Sequence, residues 1–343
     1  MLEFNPRVDC LLFPTNFTQD MTITPGCYRV AATPSFAMST TLMLSPGVTL
    51  YVESGVWLEI PEYSRLQAYG VESNPIVIRG IEEEPGFWGG LRVIGDAMLS
   101  YVTIRDAGGL IASDPGAPPA GLSVDGGLSL SDCALIGNAG YGLRDESLVA
   151  PSLFENNTVT GNERPVLVNV WQVDALGRTS TFSGNAQDSL DISVTVSTPN
   201  LPITYAVADT GYVGVIGERE RGLDGSRAWP RLDVPYRPLE GLDIAGTLAL
   251  SPGVEMRFPA GTGIRVSGTF VAQGTEDSPV VLEADQPGSD WYGIVSCGNG
   301  VADLSTVEIT GASENAAFVS GACEVWETAF SAPEVYPGIQ VAP

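Results

Sequence analysis

Ala134-Leu135-Ile136-Gly137-Asn138, then Thr158-Val159-Thr160-Gly161-Asn162, then Gly184-Asn185 repeat one theme, with the asparagines 24 and 23 residues apart. A turn that returns at a constant interval of this size marks one coil of a parallel β-helix. In that fold each coil lays its strands on those of the coil below, and equivalent turn residues stack. Asn suits the corner because it tolerates the left-handed backbone and its amide can bond to the Asn of the next coil. Asn138, Asn162 and Asn185 are therefore expected to form a ladder along the stack.

Outward from this segment a longer repeat appears. Thr41-Leu42-Met43-Leu44-Ser45-Pro46-Gly47-Val48 recurs as Thr247-Leu248-Ala249-Leu250-Ser251-Pro252-Gly253-Val254. Pro75-Ile76-Val77-Ile78 recurs as Pro279-Val280-Val281-Leu282, Trp88-Gly89-Gly90-Leu91 as Trp291-Tyr292-Gly293-Ile294, and Tyr28-Arg29 as Tyr236-Arg237. Leu99-Ser100-Tyr101-Val102-Thr103-Ile104 returns as Leu304-Ser305-Thr306-Val307-Glu308-Ile309. The two copies cover roughly 21–112 and 229–313. Inside each, runs such as Val48-Thr49-Leu50-Tyr51-Val52 alternate apolar with polar residues between Gly, Pro, Asn and Ser, which is strand punctuation. No long stretch carries helical apolar spacing, so helices are expected to be few and short.

Composition removes much chemistry. Every one of the 16 basic residues is Arg, there is no His, and 41 acids bring the net charge to -25. Such a surface repels nucleic acid and anionic membranes, and the chain has neither the commonest general base nor a lysine for Schiff-base or phosphate chemistry. No apolar run is long enough for direct membrane insertion. Five cysteines suggest two short-range disulfides, Cys10 with Cys27 and Cys297 with Cys323, leaving Cys133 over; the alternative is five buried thiols. Cys297 and Cys323 lie about one coil apart, which would bring them into disulfide reach.

The order Ser-Pro-Gly-Val, Asn/Ser-Pro-Ile/Val, Trp-x-Gly and Leu-Ser-x-Val-x-Ile resembles right-handed parallel β-helix proteins of the pectin-lyase-like superfamily, of the secreted or cell-surface kind found in bacteria. The resemblance covers nearly the whole chain. It implies an all-β, right-handed parallel β-helix solenoid with two related halves and an extracellular setting. The expected plan is an N-terminal cap over 1–28, a first half over 29–196, an irregular connection over 197–230, and a second half over 231–343 continuous with the first. Enzymes of the superfamily act on acidic polysaccharides, but their His- and Lys-containing motifs have no counterpart here.

The remaining chemistry sits in loops. Glu82-Glu83-Glu84 and the pair Asp285 and Asp290 precede Trp88 and Trp291 in matching loops, and are the acids best placed for calcium or for a carboxylate pair. A solvated acidic turn is the simpler reading of them. Trp88 and Trp291 would stack on sugar if exposed; a repeated Trp followed by Gly fits the core better. Asn16-Phe17-Thr18 and Asn156-Asn157-Thr158 match the glycosylation sequon, and the charged run Glu218 to Arg227 falls in the connection. The expected function is a non-enzymatic rigid scaffold or adhesion module. The alternative is a carbohydrate-binding or polysaccharide-degrading protein using a groove on the solenoid face. No cofactor is required, calcium being the one ion its acids would take. The expected partners are carbohydrate or another surface protein.

Overall fold

The computed structural model describes residues 5–110, 116–147, 151–176, 179–193, 223, 225–312, 318–321 and 340–341. These form two compact units, Met1–Val168 with Arg178–Ser189, and Asn169–Gly177 with Leu190–Pro343. Both are parallel β-helices. In the first unit the chain lays strands in turn on three sheets. Sheet I stacks Gly26–Val30, Val48–Val52, Ile76–Gly80, Val102–Arg105, Ala134–Ile136 and Thr158–Thr160. Sheet II stacks Trp57–Ile60, Gly90–Val93, Ala120–Val124, Tyr141–Asp145 and Arg164–Asn169; sheet III runs from Met21–Ile23 through Arg65–Tyr69 and Asp96–Ser100 to Leu153–Glu155.

Alternation along each strand divides inside from outside. The inward column of sheet I is Tyr28, Leu50, Ile78, Ile104, Leu135 and Val159, all buried and each in register with the next. Sheet II contributes Leu58, Leu91, Leu122, Leu143 and Val166. Each such aliphatic side chain stabilises the fold by about 1.5–3 kcal/mol through burial, so a coil is held chiefly by what it stacks on.

The second unit repeats this plan strand for strand. Tyr236–Pro238, Glu255–Phe258, Val280–Ala284 and Val307–Ile309 form the equivalent of sheet I; Leu242–Ile244, Ile264–Val266 and Ile294–Cys297 that of sheet II; Ser226–Trp229, Thr247–Leu250, Thr269–Gln273 and Val301–Ser305 that of sheet III. Both sequence copies therefore distribute their strands over three faces in the same order. Among the described residues the helical elements are the single turn Pro6–Asp9, capped by Asn5, and the 3-10 segment Val170–Ala175.

Within the span expected as a cap, Leu11–Leu12 pairs with Gly26–Val30, and Cys10 is joined to Cys27 with Cα atoms 5.0 Å apart. Cys323 lies outside the described residues; Cys297 is in register with Gly321. Of the connection expected over 197–230, residues 197–222 and 224 lie outside the described residues, and Ser226–Trp229 is a strand paired with Thr247–Leu250.

The three asparagines stack, though not through the expected backbone. Asn138 Nδ2 donates to Asn162 Oδ1 at 2.9 Å and Asn162 Nδ2 to Asn185 Oδ1 at 3.0 Å. The same oxygens accept the backbone N–H of Asn138 and of Asn162, both at 3.0 Å. The left-handed residues are instead the preceding glycines, Gly137, Gly161 and Gly184, with φ of 64°, 68° and 81°. Glycine turns the corner and leaves Asn free to point inward, where its amide satisfies strand ends that water cannot reach. At another corner Cys133 N donates to Asn157 Oδ1 and Asn157 N to Ser180 Oγ, both at 3.1 Å, a second ladder with no obvious repeat in sequence.

Candidate functional site

The outward face of sheet I in the first unit carries the densest charge network. In register along it stand Arg29, Tyr51, Arg79 and Arg105. Each is the outward residue of an alternating strand, such as Ile76-Val77-Ile78-Arg79 and Val102-Thr103-Ile104-Arg105, so stacking in register places the arginines one above another. The two guanidinium groups are held from both sides. Beneath them lies Asp106, its side chain 4% exposed, with Oδ1 accepting from Arg105 Nε at 3.3 Å and Oδ2 3.4 Å from Arg79 Nη2. Above them Glu83, 66% exposed, spans the pair: Oε1 is 2.7 Å from Arg79 Nη2 and Oε2 3.8 Å from Arg105 Nη2.

The surroundings fix this arrangement. Arg79 lies over the Tyr51 ring, 5.9 Å from its centroid. The Trp88 indole donates to the Arg105 carbonyl at 2.8 Å and anchors the end of that strand. Farther along, Arg7 reaches Glu53 and Glu82, and Arg29 reaches Glu53, at 3.4–3.8 Å. The two carboxyls are pushed in opposite directions. Burial raises that of Asp106 despite both arginines, whereas the Arg79 hydrogen bond and the charges of Arg79 and Arg105 lower that of exposed Glu83.

Asp106 is also unusual in its backbone. It occupies the left-handed corner, φ 64°, in the column continued by Gly137, Gly161 and Gly184. Where three following coils use glycine, this one holds an acid, at a conformational cost of about 1 kcal/mol.

Three of the five acids singled out in sequence, Glu82, Glu83 and Asp285, pair with arginines. Glu82 faces Arg7, Glu83 faces Arg79 and Arg105, Glu84 is an exposed loop residue, and Asp285 lies 2.8 Å from Arg237. Asp290 is exposed beside Trp291. Among the described residues no three of His, Cys, Asp and Glu group as metal ligands. Trp88 and Trp291 are fully buried, which removes both as sugar-stacking surfaces. Both sequon asparagines, Asn16 and Asn156, are exposed; the charged run Glu218 to Arg227 lies mostly outside the described residues.

Sequence reading missed Arg79, Arg105 and Asp106 as a group. The available signal was Ile-Arg closing two strands that stack, followed once by Asp where the Gly-Asn corners have Gly.

Two further places hold polar groups together. On sheet II, Ser123 Oγ and Arg144 Nε, neither hydrogen-bonded within the protein, border a space of ≈ 20 Å³ beneath Pro118 and Pro119, about one water in size. At the corner between sheets II and III, Tyr63 and the Arg65–Asp96 ion pair line a shallow open groove floored by Gly95, Gly126 and Gly127.

No family model matches the chain, and searches of curated proteins and of solved structures likewise return no match.

Proposed function

We propose that this chain is a non-enzymatic, secreted or cell-surface β-helix of the pectin-lyase-like type, serving as a rigid scaffold or adhesion module. The observation that carries this reading is the direction in which its ion pairs run. Arg65–Asp96, Arg92–Glu59, Arg92–Asp125 and Arg257–Glu283 each tie one coil to the next, at 3.2, 3.7, 3.4 and 2.8 Å. Arg265–Asp243 does the same. Charge arranged in this way links successive coils rather than converging on a reacting atom. The Cys10–Cys27 disulfide suits an oxidising compartment. Among the described residues no helix is long and apolar enough to cross a membrane.

A second reading, carbohydrate binding, is favoured by one feature. Tyr63 is 66% exposed above a floor of glycines, an open aromatic edge suited to a sugar ring. One experiment separates the readings: a panel of neutral and acidic glycans scored for retention and for cleavage, with and without calcium. The scaffold reading expects neither. New reducing ends or unsaturated products overturn it, and retention abolished by Tyr63→Ala transfers the conclusion to the second reading.

A further inference from the structure

We infer that Arg79 and Arg105 form a binding clamp for an external carboxylate, held closed in this structure by Glu83 acting as an internal stand-in ligand. The clamp is built. Two guanidiniums on successive coils are oriented from below by a carboxylate that solvent does not reach, and one of them is braced on Tyr51. Only its outer position is exchangeable, because Glu83 is mostly in water and ion pairs at such exposed sites are weak.

The fold does not require this arrangement. At the equivalent positions of the second copy, Arg79 is replaced by Glu283 and Arg105 by Thr310, while the strands still stack in register. The corner under the clamp is filled there by Gly311, with the same φ of 64° as Asp106. The first copy thus keeps two cations and a strained acid that its counterpart folds without.

With Glu83 removed, two guanidiniums face one buried carboxyl and the site carries net positive charge on a protein of net charge -25. Guanidiniums pair with carboxylates and with tetrahedral oxyanions alike; a carboxylate is the ligand expected here because the Glu83 carboxylate already spans the two cations, one oxygen towards each. Long polyanions are disfavoured by the acidic surface as a whole, so the expected ligand is a single or paired carboxylate on a small molecule. This inference does not rest on the scaffold reading, since a clamp of this kind serves a scaffold or a carbohydrate-binding protein equally.

The test is a titration of the arginine Nε–H resonances with malonate, at constant ionic strength, in the wild type and in Glu83→Gln. Acetate and sulfate are run beside it, with thermal melts to verify folding. Glu83 is exposed, so its amide variant should fold unchanged. In Glu83→Gln the Arg79 and Arg105 signals should shift saturably with malonate. In the wild type the half-saturation should lie higher, by up to about fivefold, because the tethered Glu83 carboxylate competes through a weak, exposed ion pair. Adding Arg105→Thr, the residue of the second copy, should abolish the saturable response at Arg79. The inference is overturned if wild type and Glu83→Gln respond alike, if only linear shifts appear, or if sulfate saturates the site as malonate does.

Discussion

In the first copy the Trp88 indole donates to the carbonyl of Arg105 at 2.8 Å; in the second the Trp291 indole donates to that of Thr310 at 2.9 Å. Tyr28 donates its hydroxyl to the Thr24 carbonyl at 3.0 Å, and Tyr236 to that of Pro230 at 2.6 Å. The indole bond falls at equivalent positions in both copies, and each tyrosine hydroxyl finds a carbonyl, four residues back in the first copy and six in the second. On the outside the copies diverge: Tyr51, Arg79 and Arg105 stand where Arg257, Glu283 and Thr310 stand in the second. Tyr63, Arg65 and Asp96 are answered by Ser267, Thr269 and Val301. An inward residue must fill a fixed volume and satisfy a fixed backbone group, whereas an outward one needs only a compatible neighbour on the next coil. Similarity between the copies therefore reports on folding, and their differences are where specific function is to be sought.

The sharpest way to break this comparison is at the tryptophans. Trp88→Ala and Trp291→Ala each remove a fully buried ring and leave a buried carbonyl unpaired, so each should cost about 3–5 kcal/mol in urea unfolding of its unit. Equal costs sustain the equivalence. A Trp291 variant that loses much less would show that only the first copy depends on this bond.

A smaller effect is expected at the ladder. Asn162→Ala, which imitates the alanine at the same corner in Ala107 and Ala312, leaves the backbone N–H of Asn138 without its acceptor, takes one of the two acceptors from the Asn138 amide, and removes a donor from the carbonyl of Leu135. A loss of about 2–4 kcal/mol is expected, together with faster amide exchange in the coils from Ala134 to Asn185. Exchange confined to Asn162 itself would mean that the ladder's bonds are independent rather than mutually supporting.

These examples also show what sequence can reveal. The Gly-Asn corners were legible because one coil of constant length repeats them, and the buried Trp because both copies keep it. The clamp was not legible in the same way. Arg79 and Glu83 are four residues apart, but Arg105 and Asp106 come from the next coil, 26 residues on, and only the register of Ile78 with Ile104 brings them together. Coil lengths outside the ladder vary, with Thr103 paired to Ala134 and Thr49 to Val77, so no single period predicts which outward residues meet. The loop acids stood out as a run of charge, but their arginine partners lie on strands or, for Glu82, in the turn Pro6–Asp9, and carry no local mark. The second ladder was hidden for a similar reason, since Cys133, Asn157 and Ser180 are three different residue types meeting one backbone requirement.

The finest prediction exchanges the corner residues themselves. Asp106 and Gly311 share φ 64°, so Asp106→Gly relieves about 1 kcal/mol of backbone strain, whereas Gly311→Asp costs more than that, because its Cβ would lie 2.6 Å from that of Ala284. Ionisation adds a pH dependence of definite sign. Arg79, Arg105 and Glu83 are the charged groups around Asp106, and burial outweighs the two arginines in raising its carboxyl above the ordinary value of 3.8. The folded state therefore holds this proton more tightly than the unfolded chain. The cost of an ionised Asp106 is present in full above its folded pKa, diminishes as pH falls through it, and is absent below 3.8. Asp106→Gly should accordingly be more stable than the wild type at pH 7, and its advantage should shrink towards the backbone contribution alone as the solution is acidified. Paired urea titrations across that range measure the difference. If Asp106→Gly is instead the less stable protein at pH 7, its ion pairs with Arg79 and Arg105 outweigh strain and burial together, and the acid belongs to the framework of the first copy rather than to a site laid upon it.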